Sequence, residues 1–145
     1  MIKINFPKDK IKIKQQVGVN EVFDPIRKKW FLLTPEEWVR QNFLQYLLQN
    51  NYPSSLIAIE KEIRLGELKK RCDIVVYDRN MDPWMIIECK EMTINLSEKT
   101  IEQILRYHIT LPASFLIITN GSFTYGFEKK MDQFFEMNKL PDYAL

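Results

Sequence analysis

The chain has 145 residues, 46% of them hydrophobic, with 21 basic and 19 acidic side chains; this suits one domain that buries its own core and excludes a disordered or fibrous chain. No apolar run approaches the roughly 18–20 residues of a membrane span, and Met1-Ile2-Lys3-Ile4-Asn5 lacks a signal-peptide core, so a cytoplasmic protein without membrane contact is expected. Two cysteines (Cys72, Cys89), one histidine (His108) and the absence of GxxxxGK[ST] or GxGxxG strings exclude a disulfide framework, a four-ligand zinc site and a nucleotide-driven motor, leaving any chemistry to carboxylates and lysines.

Residues 1–29 read as a basic N-terminal arm and residues 30–145 as a single domain. The first thirty residues hold eight basic and three acidic side chains, the remainder thirteen and sixteen. A basic arm on a mildly acidic body fits a polyanionic partner, and on charge alone a solvated leader fits equally well. Within it, residues 10–19 alternate lysine with isoleucine, which suggests an edge strand with one wet face. Asp24-Pro25 is a turn, and Lys29-Trp30-Phe31-Leu32-Leu33 is a short apolar approach to the first helix. That helix opens at Thr34-Pro35-Glu36-Glu37: Thr34 suits the N-cap, Pro35 sits where its missing N–H costs nothing, and Glu37 completes a capping box. It runs to about Gln49, with Val39, Phe43, Tyr46 and Leu47 on the buried stripe.

Three strands follow, over residues 56–65, 71–78 and 84–90, the last two an antiparallel hairpin about the turn at residues 79–83. Asn95 or Ser97 caps a second helix to about Thr110, with Ile101, Ile104, Leu105 and His108 on one face; His108 there reads as a satisfied core histidine. Phe115-Leu116-Ile117-Ile118-Thr119 is a buried strand that closes a βαβ unit, and a short helix over residues 127–138 ends the chain. The order α-β-β-β-α-β indicates an α/β domain with a mixed central sheet flanked by helices.

If the hairpin turns near Asn80 and Met81, opposed residue numbers sum to about 161, which sets Asp73 across from Glu88 and Asp78 across from Pro83. Directly opposed carboxylates, roughly 4.5–5.5 Å apart, repel unless a cation sits between them or one is protonated. Lys90 shares a strand face with Glu88, and Cys89 points to the other. Asp, Glu and Lys thus converge at one end of an apolar hairpin. Hard oxygen ligands without imidazole select Mg²⁺ or Mn²⁺, held by Asp73, Glu88 and the Cys89 carbonyl, and Lys90 could orient or deprotonate a water for phosphodiester hydrolysis. A surface Glu-x-Lys is common and usually inert; opposition by Asp73 is what gives this one weight.

Arg71-Cys72-Asp73-Ile74-Val75-Val76-Tyr77 followed by Glu88-Cys89-Lys90 resembles the Asp…Glu-x-Lys core of the PD-(D/E)xK nuclease superfamily. Thr34-Pro35-Glu36-Glu37-Trp38-Val39-Arg40-Gln41, Tyr52-Pro53, Lys70-Arg71-Cys72-Asp73, Glu88-Cys89-Lys90, Gln103-Ile104-Leu105-Arg106-Tyr107 and Thr119-Asn120-Gly121 together are similar to the N-terminal domain of type I restriction enzyme R subunits, over roughly residues 30–125. The resemblance implies a restriction-endonuclease-like core and a Mg²⁺-dependent endonuclease acting on DNA, with Asp73 and Glu88 as metal ligands and Lys90 catalytic. It also implies a helix glutamate at the metal: Glu36, on the inward face, with Glu37 the alternative. Gln103 and Tyr107, one helical turn apart and off the apolar stripe, would support the site and hold substrate; Arg40 and Arg106 are candidate phosphate contacts. These 145 residues carry no translocase, so the expected partners are DNA, a separate translocase or specificity subunit, or a second copy, since cutting both strands ordinarily calls for two sites. The alternative is a catalytically inactive nucleic-acid-binding or assembly module with the same fold.

Overall fold

The computed structural model describes residues 1–143; residues 144 and 145, the end of the expected domain, lie outside the described residues. Among the described residues there are two sheets, two α-helices and a short 3-10 turn at Ser54–Leu56. β1 (Ile13–Gln16), β2 (Val19–Asp24) and β3 (Lys29–Leu32) form a small antiparallel sheet; β4 (Ile57–Leu65), β5 (Leu68–Tyr77), β6 (Pro83–Cys89), β7 (Phe115–Thr119), β8 (Thr124–Lys130) and β9 (Gln133–Met137) form a six-stranded sheet in that spatial order. Among the described residues only β6 and β7 pair in parallel, across the helix that links them, which makes the large sheet mixed. From α1 (Pro35–Gln49) through α2 (Glu98–His108) to β7 the elements follow the order α-β-β-β-α-β.

Each helix starts where its cap dictates. Thr34 Oγ1 accepts from the Glu37 N–H at 3.0 Å, and Ser97 Oγ from the Thr100 N–H at 3.2 Å, so Ser97 rather than Asn95 caps α2. The reciprocal half of the expected capping box is absent. Glu37 is buried, and its carboxylate is taken by Arg27 and Arg40 instead of the helix end.

The helices cover opposite faces of the large sheet. Val39, Phe43, Leu44 and Leu47 of α1 pack on Ile59, Ile74, Val76, Ile87 and Ile117. Ile104 of α2 packs on Val75, Ile86, Leu116 and Ile118 from the other side. Alternate residues of one strand thus feed two cores, as a doubly covered sheet requires.

Three expectations are corrected. Residues 127–138 are not helical: β8 and β9 form a hairpin with Lys130 opposite Gln133. Met131 and Asp132 between them both have positive φ (50° and 59°), the signature of a two-residue turn whose twist matches its strands. Much of the basic N-terminal segment is the β1–β3 sheet rather than a free arm; the expected edge strand is there as β1, while β2 buries Val22 completely and the apolar approach to α1 is β3. Finally, Pro83 pairs with Tyr77 rather than Asp78, because the ladder shifts by one after Val76. Asp78 instead organises the turn, its Oδ1 accepting from the N–H groups of Asn80 and Asp82.

Candidate active site

The β5–β6 register is Ile74↔Ile87, Val75↔Ile86 and Val76↔Met85, so the sum of 161 holds along the ladder and brings Asp73 level with Glu88. The regular pairing stops one step short of them, and the Cys89 N–H turns to Asp73 Oδ2 at 2.7 Å. On the other side of β5, the β4 register passes from Ile59↔Ile74 to Lys61↔Cys72 and skips the Glu60–Asp73 step; Glu60 has φ +50°. Side-chain alternation slips at the same place, since Ile74 joins the α1-side core and Cys72 the α2-side core. This local irregularity lets the Asp73 carboxylate lean toward α1.

Glu36, Arg40, Glu60, Arg71, Asp73, Glu88 and Lys90 line a cleft of about 190 Å³ together with Cys72 and Cys89. On its α1 flank, Arg40 is buried. Its Nη2 donates to Asp73 Oδ1 (2.9 Å) and Glu36 Oε1 (3.0 Å) and lies 3.4 Å from Glu60 Oε1, while Nη1 donates to Glu37 Oε1 at 2.8 Å. Glu37 is held in turn by Arg27 Nη2 (2.9 Å) and Gln41 Nε2 (3.3 Å). Arg40 therefore serves as an internal cation, and the expected phosphate contact is not presented by this arrangement.

On the α2 flank, Glu88 Oε1 lies 3.4 Å from Lys90 Nζ and Oε2 lies 3.4 Å from His108 Nε2. His108 is a core residue as expected, but not a satisfied one: among the described residues neither ring nitrogen has a hydrogen-bond partner, so its contact with Glu88 is electrostatic proximity without bonding geometry. A groove of about 390 Å³ continues outward past Arg71, Glu88, Lys90, Thr100, Gln103 and Tyr107. Gln103 and Tyr107 are exposed and share this groove, and Lys70 Nζ stands 4.3 Å above the Tyr107 ring. Arg106 is exposed and sits 3.7 Å from Glu102, outside the lining of either cleft.

Protonation follows the two flanks. Burial, then repulsion from Glu88, raises the Asp73 carboxyl above its ordinary range against the opposing pull of Arg40 and the Cys89 N–H. Burial and Asp73 raise Glu36 likewise. Burial would also raise Glu88, but His108 and Lys90 outweigh it and hold that carboxyl low. Adjacent acids pushed apart in this way are a mark of functional sites. Burial pushes the Cys72 thiol up to about 12 and the Cys89 thiol well above its usual value, which favours the protonated thiol over the thiolate at both.

Asp73, Glu88 and Lys90 thus reach one cleft without meeting at one point, since the immediate partners of Asp73 and Glu88 lie on opposite flanks. Among the described residues no three His, Cys, Asp or Glu side chains are gathered tightly enough to hold a metal ion as they stand. The donor chemistry nonetheless fits a hard divalent ion: carboxylates from α1, β4 and β5 surround one nitrogen of a guanidinium, and two of them keep a raised proton affinity. Glu60 was not expected here. Gly66-Glu67 is a two-residue turn with Leu65 paired to Leu68, and counting back from it sets Glu60 opposite Asp73, so the signal was present in the sequence.

A family model described as type I restriction enzyme R protein N terminus (HSDR_N) matches residues 35–141. The match begins at the first residue of α1, takes in every residue of the cleft and excludes the β1–β3 sheet. No curated protein matches the chain.

Proposed function

Because this chain belongs to the type I restriction enzyme R protein N-terminal family, we propose that it is a Mg²⁺- or Mn²⁺-dependent endonuclease domain that hydrolyses phosphodiester bonds of DNA. The observation that carries this reading is the level placement of Asp73 and Glu88 on adjacent strands with Lys90 Nζ 3.4 Å from Glu88. Asp73, Glu36 and Glu88, with the Cys89 carbonyl, would hold the ion. When bound, it supplies charge neutralisation at the phosphate and a more acidic water.

The chain's own residues do the rest. The Lys90 N–H donates to the Thr119 carbonyl at 2.8 Å, which fixes the backbone below the ammonium group. That ammonium, at the mouth of the groove, orients the attacking water and offsets charge on the phosphate oxygens as water adds to phosphorus and the bond to the leaving oxygen breaks. Gln103 and Tyr107 line the path along which a strand would lie, with Arg71 as an exposed cation beside them and Arg106 a phosphate contact further out. His108 and Lys90 keep Glu88 ionised, hence competent as a ligand. Cutting both strands calls for a second copy or a partner subunit that moves DNA.

The test is cleavage of plasmid DNA by purified protein with Mg²⁺ or Mn²⁺, beside Asp73→Ala and Lys90→Ala. Cleavage that stops with chelator and falls about 10²–10⁴-fold in each variant is expected. Equal cleavage by all three proteins, or none by any while DNA is still bound, would leave a non-catalytic DNA-binding module.

A further inference from the structure

Arg40 Nη2 has an unusual set of neighbours for one nitrogen. Glu36 Oε1 from α1 (3.0 Å), Asp73 Oδ1 from β5 (2.9 Å) and Glu60 Oε1 from β4 (3.4 Å) all approach it. Three carboxylates from three separate elements define a point where positive charge is wanted, and the guanidinium fills it from within the fold. The anchor lies behind: Nη1 is bonded to the buried Glu37, which Arg27 and Gln41 hold in place. Arg40 Nε, also buried, has no partner among the described residues, which bond the guanidinium through its outer nitrogens alone. An arginine that served packing only would have no need of the two oxygens the site most needs for its own chemistry.

We propose that Arg40 Nη2 occupies the cation position of this site and competes with the divalent ion for Glu36 and Asp73, so that metal uptake requires the guanidinium to withdraw from them. The inference rests on the metal-dependent reading above and adds its control. Two cations cannot share those oxygens at these distances, because like charges a few ångströms apart repel, most strongly beside the buried Arg40 and the largely buried Asp73. Glu37 is the partner the guanidinium keeps. The metal-free protein is then a self-neutralised, inactive state, and the affinity of the site for metal is lowered by the coupling between the two cations.

Mn²⁺ titration calorimetry on the chelator-stripped full chain, with thermal unfolding in EDTA and in Mn²⁺, tests this for wild type, Arg40→Gln, Arg40→Lys and Arg40→Gln/Asp73→Asn. Arg40→Gln is expected to bind Mn²⁺ at least about tenfold more tightly than wild type and to gain more in unfolding midpoint on adding Mn²⁺. Arg40→Lys falls between, and the double variant loses the gain. If Arg40→Gln fails to fold in EDTA by circular dichroism, folding restored by Mn²⁺ supports the proposal, and without such restoration Arg40→Lys decides it. Mn²⁺ affinity unchanged or weaker in the folded Arg40 variants overturns the competition and leaves the metal reading intact. Folded proteins none of which binds Mn²⁺ would overturn the metal reading itself.

Discussion

On the α1 side of the cleft a buried arginine makes contacts at 2.8–3.4 Å with four carboxylates. On the α2 side a half-exposed lysine and a buried imidazole each stand 3.4 Å from one carboxylate, and the space beyond them is an open groove. The first flank is bonded shut and the second is loosely held and accessible. Protonation tracks the contrast, with Asp73 and Glu36 shifted upward and Glu88 downward. On the proposed metal-dependent reading such a site separates its tasks: one side would store charge to be rearranged on metal uptake, and the other would keep a carboxylate and an ammonium ready for a strand of substrate.

The contrast can be broken most severely at Arg40. In metal-free buffer Arg40→Met should cost about 3 kcal/mol in denaturant unfolding, because it strands the largely buried Asp73 without its counter-charge and leaves Glu37 to Arg27 as its counter-charge, whereas Lys90→Met should cost less than about 1 kcal/mol, as exposed pairs do. Equal losses would erase the distinction between the flanks.

A pH series sharpens it. Glu88 is lowered in the native state, so its contribution is present above its unfolded value and is lost as pH falls through the native one. Asp73 is raised, so its contribution is present in acid below the unfolded value and is lost as pH rises through the native one. Glu88→Gln should therefore be destabilising at neutral pH and approach wild type in acid. Asp73→Asn should gain relative to wild type as pH rises, each effect on the order of 1 kcal/mol. Parallel trends for the two variants in pH-dependent unfolding would refute the opposed shifts. The smallest expected effect is at Arg106, whose side chain is 79% exposed: Arg106→Ala should change stability by no more than about 0.5 kcal/mol while weakening DNA binding in a salt-dependent titration.

Short-range chemistry made much of this legible in the sequence. Thr34 and Ser97 end their helices by a hydrogen bond that residue type alone announces, and the β5–β6 register follows from one turn and two apolar runs. Residues 127–138 misled because Phe127, Met131, Phe134 and Phe135 recur at helical spacing, while the two positive-φ residues at the turn, Met131 and Asp132, are of types that do not advertise it. The acids of the site were readable from strand pairing: Asp73 and Glu88 from the β5–β6 turn, and Glu60, unexpected though it was, from the Gly66-Glu67 turn. The task of Arg40 was not, because it depends on a slip in β5 at Asp73 and on Glu60 across the neighbouring ladder, neither of which is local to Arg40. His108 could be placed on the apolar face by its spacing, but its nearness to Glu88 depends on how α2 lies on the sheet.

The single parallel pairing has a further consequence, for the order of assembly. β4–β5 and β8–β9 close through two-residue turns and β5–β6 through five residues, whereas β6 meets β7 only after the 25 residues between Cys89 and Phe115 have come back on themselves. Loop closure over that span carries the larger entropic cost, so the hairpins are the kinetically local units and the β6–β7 junction is their joint. Asp73 and Glu88 belong to one such unit and are neighbours from its formation. Lys90 gains its backbone anchor, the Thr119 carbonyl, only when the joint closes, so loop-closure entropy alone would set it last of the three groups to reach its place in the cleft.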